Sequence, residues 1–470
     1  MNVQNAQVYN TQTLPKQGNY KLVVYFICIV GALGGLLFGL DQGFIANSLN
    51  TIKATYNLNT QSAEQYSAIL ATGGVIGALL SGIFARFLGR KKSLVFAGLI
   101  FTIASLGSAM LPSFHVLNVF RFFLGFGVGV ASFIAPLYLS ETAPASIRGS
   151  MGTLFQLMIT IGIFLISVTN VYIAKVFVSP HVALPIMFMV IAVFAVLMLI
   201  GSLILPESPR WLMLKGRKEQ AIRVLKRTFN TQQEVDSEIQ DIEKILAAGQ
   251  GHSIKALIKA HFIKILVIGV VLQMFQQLVG INVMIYYAPT IFGYAGMKGL
   301  IAMMAVPTVN MLFTFPAIYL VEKWGRKKLL YVGAVIMCLT MLAAGLAFQY
   351  IGNTDPSLVS SIPKSVLLIA VIAYIFGFAF SWGPVAWLVC SEIFPLKGRE
   401  VGMTITTMVN WTFAGLLMRY SLTFMETYGR SSLFYMFAIF CVLAIIFVAK
   451  FVPETKGITL EDLELKLRRK

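Results

Sequence analysis

Twelve stretches of at least 18 residues contain no Asp, Glu, Lys or Arg: 22–40, 65–85, 93–120, 122–140, 149–174, 176–206, 265–297, 299–321, 329–354, 365–391, 401–418 and 431–449. A hydrocarbon layer about 30 Å thick takes about 20 residues of α-helix to cross, so each stretch is long enough to span a membrane. Barrel strands are excluded, because they alternate polar and apolar over about ten residues. Only 12% of the 470 residues are charged and 57% are hydrophobic, too little polarity to keep such runs in a soluble core. The pattern predicts an all-α membrane protein with twelve transmembrane helices.

The net charge of +18 raises the question of nucleic acid, and its placement answers it. With the N-terminus inside, thirty of the 37 Lys and Arg fall in segments that twelve spans place on the inner side. Lys53, Lys175, Lys298, Lys364 and Arg430 fall outside, and Arg121 and Arg419 fall within spans. This is the positive-inside asymmetry, so both termini are expected in the cytoplasm of a multi-pass inner (plasma) membrane protein, with no nucleic acid partner. The first 20 residues are polar and are expected to form a disordered cytoplasmic tail without a cleavage site. Cys28, Cys338, Cys390 and Cys441 all lie in predicted spans, without metal-ligand or CxxC spacing, and are expected to pack inertly.

The longest charged stretch, 207–264, divides the spans six and six. Ala221, Ile222 and Leu225, then Val235, Ile239, Ile242 and Leu246, recur at helical spacing and predict short cytoplasmic helices on the membrane surface. The two halves echo each other. Gly89-Arg90-Lys91-Lys92 recurs as Gly325-Arg326-Lys327-Lys328. Ser140-Glu141 with Arg148-Gly149 recurs as Ser391-Glu392 with Gly398-Arg399. Pro206-Glu207-Ser208 recurs as Pro453-Glu454-Thr455. Three echoes in order describe two like-oriented six-helix halves, an arrangement that supports alternating access around a midplane site. The expected organisation is a tail (1–20), an N-terminal bundle (21–205), linker helices (206–262), a C-terminal bundle (263–452) and a cytoplasmic tail (453–470).

Asp41 ends one apolar run and Arg121 sits between two others. An ionisable side chain inside a bundle costs about 2.5–3.5 kcal/mol on insertion scales, so such residues are usually paired and functional. The spans also carry amides and indoles: Gln156, Gln276, Gln277, Asn282, Asn310, Trp387, Asn410 and Trp411. An amide offers donor and acceptor together, and an indole offers an apolar plate with one donor, which suits a polyhydroxylated ring. Singly, each amide has a plain alternative as a helix–helix hydrogen bond. Gly280 and Pro289 are expected to interrupt the seventh span and Gly383-Pro384 the tenth, as broken helices do at transport sites. Arg90, Glu141, Arg148, Glu207, Arg326, Glu392 and Arg399 form a repeated charge set at the cytoplasmic rim. It reads either as solvated loop charge or as a salt-bridge latch between the halves, and the repetition favours the latch. The glycines at 31, 34, 35 and 39 and at 125, 127 and 129 follow no strand and precede no Walker lysine, so they read as close helix packing. No HExxH motif, Cys/His ligand set or Ser-His-Asp arrangement is present, and neither enzyme activity, metal nor cofactor is expected.

The strings GLLFGLDQG (35–43), RFFLGFGVG (121–129), PLYLSETAP (136–144), PESPRWL (206–212), QQLVGINVMIYYAP (276–289), WGRKK (324–328), SWGPVAWLVCSEIFPLKGR (381–399) and PETKG (453–457) resemble the sugar porter family of the major facilitator superfamily. The resemblance runs from about residue 20 to 465 and is nearest to bacterial proton symporters for galactose, arabinose and glucose. It implies the major facilitator fold, with Asp41 on helix 1 as the proton site facing Arg121 on helix 4. It places sugar contacts on the same amides and on Trp387 and Trp411, and adds Phe38, Tyr286 and Gly383. The expected activity is proton-coupled import of a monosaccharide by a functional monomer in the lipid bilayer. A facilitative uniporter and, more remotely, a non-transporting sugar sensor are the alternatives.

Overall fold

The computed structural model describes residues 20–142, 145–249, 260–297, 299–352, 360–394 and 398–456. Its elements are helices: α1 (Tyr20–Thr55), α2 (Thr60–Phe87), α3 (Arg90–Ala109), α4 (Phe114–Thr142), α5 (Ala145–Val176), α6 (Pro180–Ile204), α7 (Pro209–Leu214), α8 (Lys218–Thr228), α9 (Gln232–Gly249), α10 (Ala260–Leu278), α11 (Ile281–Tyr294), α12 (Leu300–Trp324), α13 (Arg326–Ile351), α14 (Ser361–Ala379), α15 (Trp382–Ile393), α16 (Arg399–Tyr428) and α17 (Ser432–Lys450). Twelve segments among the described residues are long and apolar enough to cross a membrane, with α10–α11 and α14–α15 each forming one interrupted span. Lipid offers no partner to a backbone N–H or C=O, so apolar segments of this length satisfy themselves as helices. The lipid-facing stripes are visible as exposed apolar residues at helical spacing, such as Met189, Val193, Leu197 and Ile200 on α6, or Ile439, Val442 and Ile446 on α17.

Cutting the sequence at each charge would end the first span at Leu40. Instead α1 runs for 36 residues, straight through Asp41, because that side chain turns into the bundle and finds a partner there. Within the first six spans α1 packs on α5, α2 on α4, and α3 on α6; in the last six α10 packs on α16 and α13 on α14 and α17. The seam between halves is formed mainly by α2 against α16 and α5 against α12, with α1 meeting α11. Small residues let the helices approach. A Cβ on Gly39 would lie 1.9 Å from the Ile159 carbonyl oxygen, and one on Gly125 would lie 1.9 Å from that of Leu70.

Even-numbered spans return the chain, so residue 20 and residue 456 emerge at one end of the bundle, here the termini end; the other is the far end. At the termini end α7, α8 and α9 gather their apolar residues into two small clusters, Trp211, Leu212, Met213, Ala221 and Ile242, and Leu225, Phe229 and Val235. The amphipathic faces expected to lie on a membrane surface therefore bury against one another. Trp211 Nε1 donates to the Arg86 carbonyl at 3.1 Å and ties this cap to the end of α2.

Candidate functional site: a buried ion pair beside a chain of amides

Asp41 and Arg121 are both fully buried and form an ion pair between α1 and α4. The pair is only partly satisfied: Asp41 Oδ2 and Arg121 Nε and Nη2 have no hydrogen-bond partner among the described residues. The guanidinium lies 5.4 Å from the centroid of the Tyr66 ring, a cation–π contact that offsets some of the lost hydration. Tyr286, 1% exposed, lies within the electrostatic reach of both charges.

One residue along α1, the side chain of Gln42 points elsewhere, because neighbours on a helix diverge by about 100°. Gln42 Nε2 donates to Asn282 Oδ1 at 3.0 Å, across the seam to α11. From there the bonds run on without a gap. Asn282 Nδ2 donates to Gln277 Oε1 at 2.7 Å, and Gln277 Nε2 donates to Gln276 Oε1 at 2.7 Å and to Asn410 Oδ1 at 3.0 Å. Asn410 Nδ2 in turn donates to Gln276 Oε1 and Gln273 Oε1, each at 2.7 Å. Every member is buried. The break in the seventh span is what assembles it: Gly280 takes φ 102°, a left-handed turn that ends α10 just past Gln276 and Gln277 and starts α11 just before Asn282. A side chain at Gly280 would also strike the Phe437 ring at 2.6 Å. Pro289 sits inside α11 without interrupting it.

The tenth span breaks at Phe380 and Ser381, earlier than Gly383-Pro384. Pro384 instead occupies the first turn of α15, where its missing N–H has no intrahelical partner to lose. Phe38 and Trp411 meet across the seam with ring centroids 5.0 Å apart, and the Trp411 indole rests on the bare backbone of Gly74. Gln156, Asn310, Gly383 and Trp387 stand apart from the amide chain; Asn310 and Gly383 are buried, Gln156 and Trp387 half-buried. Asn310 Oδ1, Trp411 Nε1 and Gln273 Nε2 are buried without hydrogen-bond partners among the described residues, a set of free donors and an acceptor suited to hydroxyl groups. Gln42 and Gln273 were not among the residues singled out from sequence. Gln273 is an in-span amide three residues from Gln276, which was the signal available; Gln42 lies just past the charge that ends the first apolar run, and its only signal was adjacency to Asp41.

At the termini end the repeated charge set folds into two copies of one clamp. In the first, Arg90 Nε and Nη2 donate to Glu141 at 2.8 and 2.7 Å, Glu207 Oε1 accepts the Arg90, Lys91 and Ser208 amides, and the Ser208 hydroxyl donates to Glu141 at 2.5 Å. In the second, Arg326 Nε and Nη2 donate to Glu392 at 3.2 and 2.8 Å, Glu454 accepts the Arg326, Lys327 and Thr455 amides, and the Thr455 hydroxyl donates to Glu392 at 2.5 Å. Gly89 and Gly325, at φ 91° and 86°, leave the space each capping carboxylate occupies. Burial pushes the Glu207 carboxyl pKa up, against the pull of its three amide donors and Arg90. Where the sequence predicts a latch between halves, Arg90 and Arg326 here close on glutamates of their own halves, each held by the segment that follows that half's last span, Glu207–Ser208 or Glu454–Thr455. Among the described residues only Arg90 to Glu400, at 3.5 Å with Glu400 half exposed, forms an ion pair across the seam. Arg399 lies near Glu392 and Arg210 without an ion pair of its own among the described residues. The side chain of Arg148 lies outside the described residues.

Residues 27–467 match the family described as Sugar (and other) transporter. The chain belongs to that family. It is 40% identical to the galactose-proton symporter of Escherichia coli (strain K12) over 97% of each chain. It is 36% identical to a D-xylose transporter of Levilactobacillus brevis, over 96% of this chain and 97% of that one. The proton:xylose symporter XylE of E. coli, bound to 6-bromo-6-deoxy-D-glucose, superposes with a TM-score of 0.82 at 32% identity, covering 96% of this chain and all of XylE. The fold is that of the major facilitator superfamily, and the chain is a multi-pass membrane protein.

Proposed function

We propose that this chain is a proton-coupled symporter that imports a monosaccharide of galactose, glucose or arabinose type by alternating access. The observation that carries the reading is the buried, incompletely satisfied Asp41–Arg121 pair one residue from a chain of amides that crosses the seam. The activities named for its relatives support the same reading. The ion pair supplies a titratable group inside the bundle. The amides supply paired donors and acceptors that exchange their mutual bonds for sugar hydroxyls at little net cost, since one buried hydrogen bond replaces another. Phe38 and Trp411 supply an apolar wall for the ring, and the family resemblance adds Gln156, Asn310, Trp387, Gly383 and Tyr286 as further sugar contacts. The spans before and after the linker act as the rocking bodies, with the termini end in the cytoplasm, the far end outside and the chain in the inner (plasma) membrane. All the candidate residues belong to one chain, which supports a functional monomer. Uptake of a panel of labelled sugars into proteoliposomes, with and without an inward proton gradient, tests this. Accumulation of a hexose or arabinose only with the gradient is expected; equal uptake without it means a facilitative carrier, and no uptake of any sugar contradicts the reading.

A further inference from the structure

At the far end a second buried acid crosses the seam. Glu64, in the second turn of α2, is 0% exposed. Its Oε1 accepts from the backbone N–H groups of Leu422 at 2.6 Å and Thr423 at 3.0 Å, and its Oε2 takes the Thr423 hydroxyl. Leu422 and Thr423 lie inside α16, in the other half. A mid-helix N–H reaches an outside acceptor only where its own ladder bond is shared or opened. Here the carbonyl four residues before Leu422, Met418 O, takes the Tyr287 hydroxyl of α11 at 2.6 Å. The ladder of α16 is therefore engaged at one point by an acid from α2 and a phenol from α11.

The surrounding ties across this end are more exposed. Thr60 Oγ1 donates to Glu426 at 2.9 Å and receives Lys53 Nζ at 3.3 Å, while Arg419 Nη1 donates to the Gln61 carbonyl at 3.5 Å. Glu64 differs from them in being wholly withdrawn from water. Its three donors exist only while α2 and α16 stay together at this end, whereas the clamps at the termini end each lie within one half. A group shifts an equilibrium between two states only through its difference in energy between them, and Glu64 has such a difference built in.

We propose that Glu64 holds the far end of the carrier shut, as a positioning residue that acts through α16 without touching the cargo. The inference rests on the alternating-access reading for its meaning, and its test needs neither sugar nor a proton gradient. Ser67, one turn deeper on α2, is buried beside Tyr287. A cysteine there, in detergent-solubilised protein, reports opening of the far end through its rate of reaction with a polar thiol reagent. Glu64→Ala removes all three bonds and is expected to raise the labelling rate about tenfold, the scale of losing a buried charge-assisted bond. Thr423→Val, which deletes only the hydroxyl donor, is expected to raise it less. Glu64→Gln is expected to keep the slow rate, because its carbonyl oxygen accepts both amides and its NH2 donates to the Thr423 oxygen. Unchanged labelling in Glu64→Ala and Thr423→Val overturns the proposal, and so does equally fast labelling in Glu64→Gln. If Glu64→Ala does not fold, Thr423→Val against Glu64→Gln decides alone. A protein that fails every sugar uptake assay yet shows this labelling pattern keeps the gate and loses the sugar.

Discussion

At Gln277 the amide makes three hydrogen bonds at once, to Asn282, Gln276 and Asn410, so it is the centre of the chain. Gln277→Ala strands those partners and removes a donor–acceptor pair from the proposed sugar site. Sugar binding is expected to weaken by about 1–3 kcal/mol, read by calorimetry; unchanged binding would remove Gln277 from the site. Single residues were the most legible part of the sequence. Asp41 and Arg121 stood out because charge inside an apolar run is expensive, and the amides because the spans hold few polar groups. Glu64 was not legible for the same reason inverted. It stands directly before the charge-free stretch 65–85, where an acid looks like the solvated edge of a loop, and only the packing of α2 on α16 shows it buried.

Among the elements, the break between α10 and α11 does the most to build the site. Its glycine carries two demands, a left-handed backbone and room for Phe437. Gly280→Ala is expected to destabilise the protein by about 1–3 kcal/mol and to weaken sugar binding with it, since Asn282 moves relative to Gln277. Thermal unfolding in detergent and calorimetry on the same sample check both halves of that statement. The break was legible because Gly280 sits between Gln277 and Asn282 in an otherwise continuous apolar run. The break in the tenth span was misplaced by three residues because a proline suits the first turn of a helix as well as an interruption. The clamps make a second prediction at this scale. Glu141 is buried against Arg90, whereas Glu400 is half exposed. Glu141→Gln leaves a buried arginine short of its counter-charge and is expected to cost about 3–5 kcal/mol. Glu400→Gln is expected to cost less than about 1 kcal/mol. Equal melting temperatures for the two variants would contradict the assignment of the clamp to one half.

For the whole molecule, the sequence repeats announced two halves but not how they are tied. Sequence places Arg90, Glu141, Arg326 and Glu392 at one end without saying which arginine meets which glutamate, and both pairings are compatible with the spacing. The structure closes each clamp within its half, and among the described residues the seam is crossed by Gln42–Asn282, Phe38–Trp411, Glu64 with α16, Thr60–Glu426, Arg419–Gln61 and Arg90–Glu400, along with the packing of α2 on α16. Two six-span halves whose arginine clamps each close internally, and which meet along one seam of packed helices, suit a carrier that rocks. The central claim is that a proton moves with the sugar because Asp41, paired with Arg121 inside the N-terminal half, titrates one residue from that seam. Asn has the shape of the acid and cannot titrate, so Asp41→Asn separates coupling from binding. The direct measurement is sugar-induced alkalinisation of the medium, run beside gradient-free sugar exchange, on wild-type and Asp41→Asn proteoliposomes. Sugar-dependent proton uptake by the wild type, lost in Asp41→Asn while exchange persists, is the predicted result; proton uptake that survives in Asp41→Asn, or a wild type that moves sugar without protons, would contradict it.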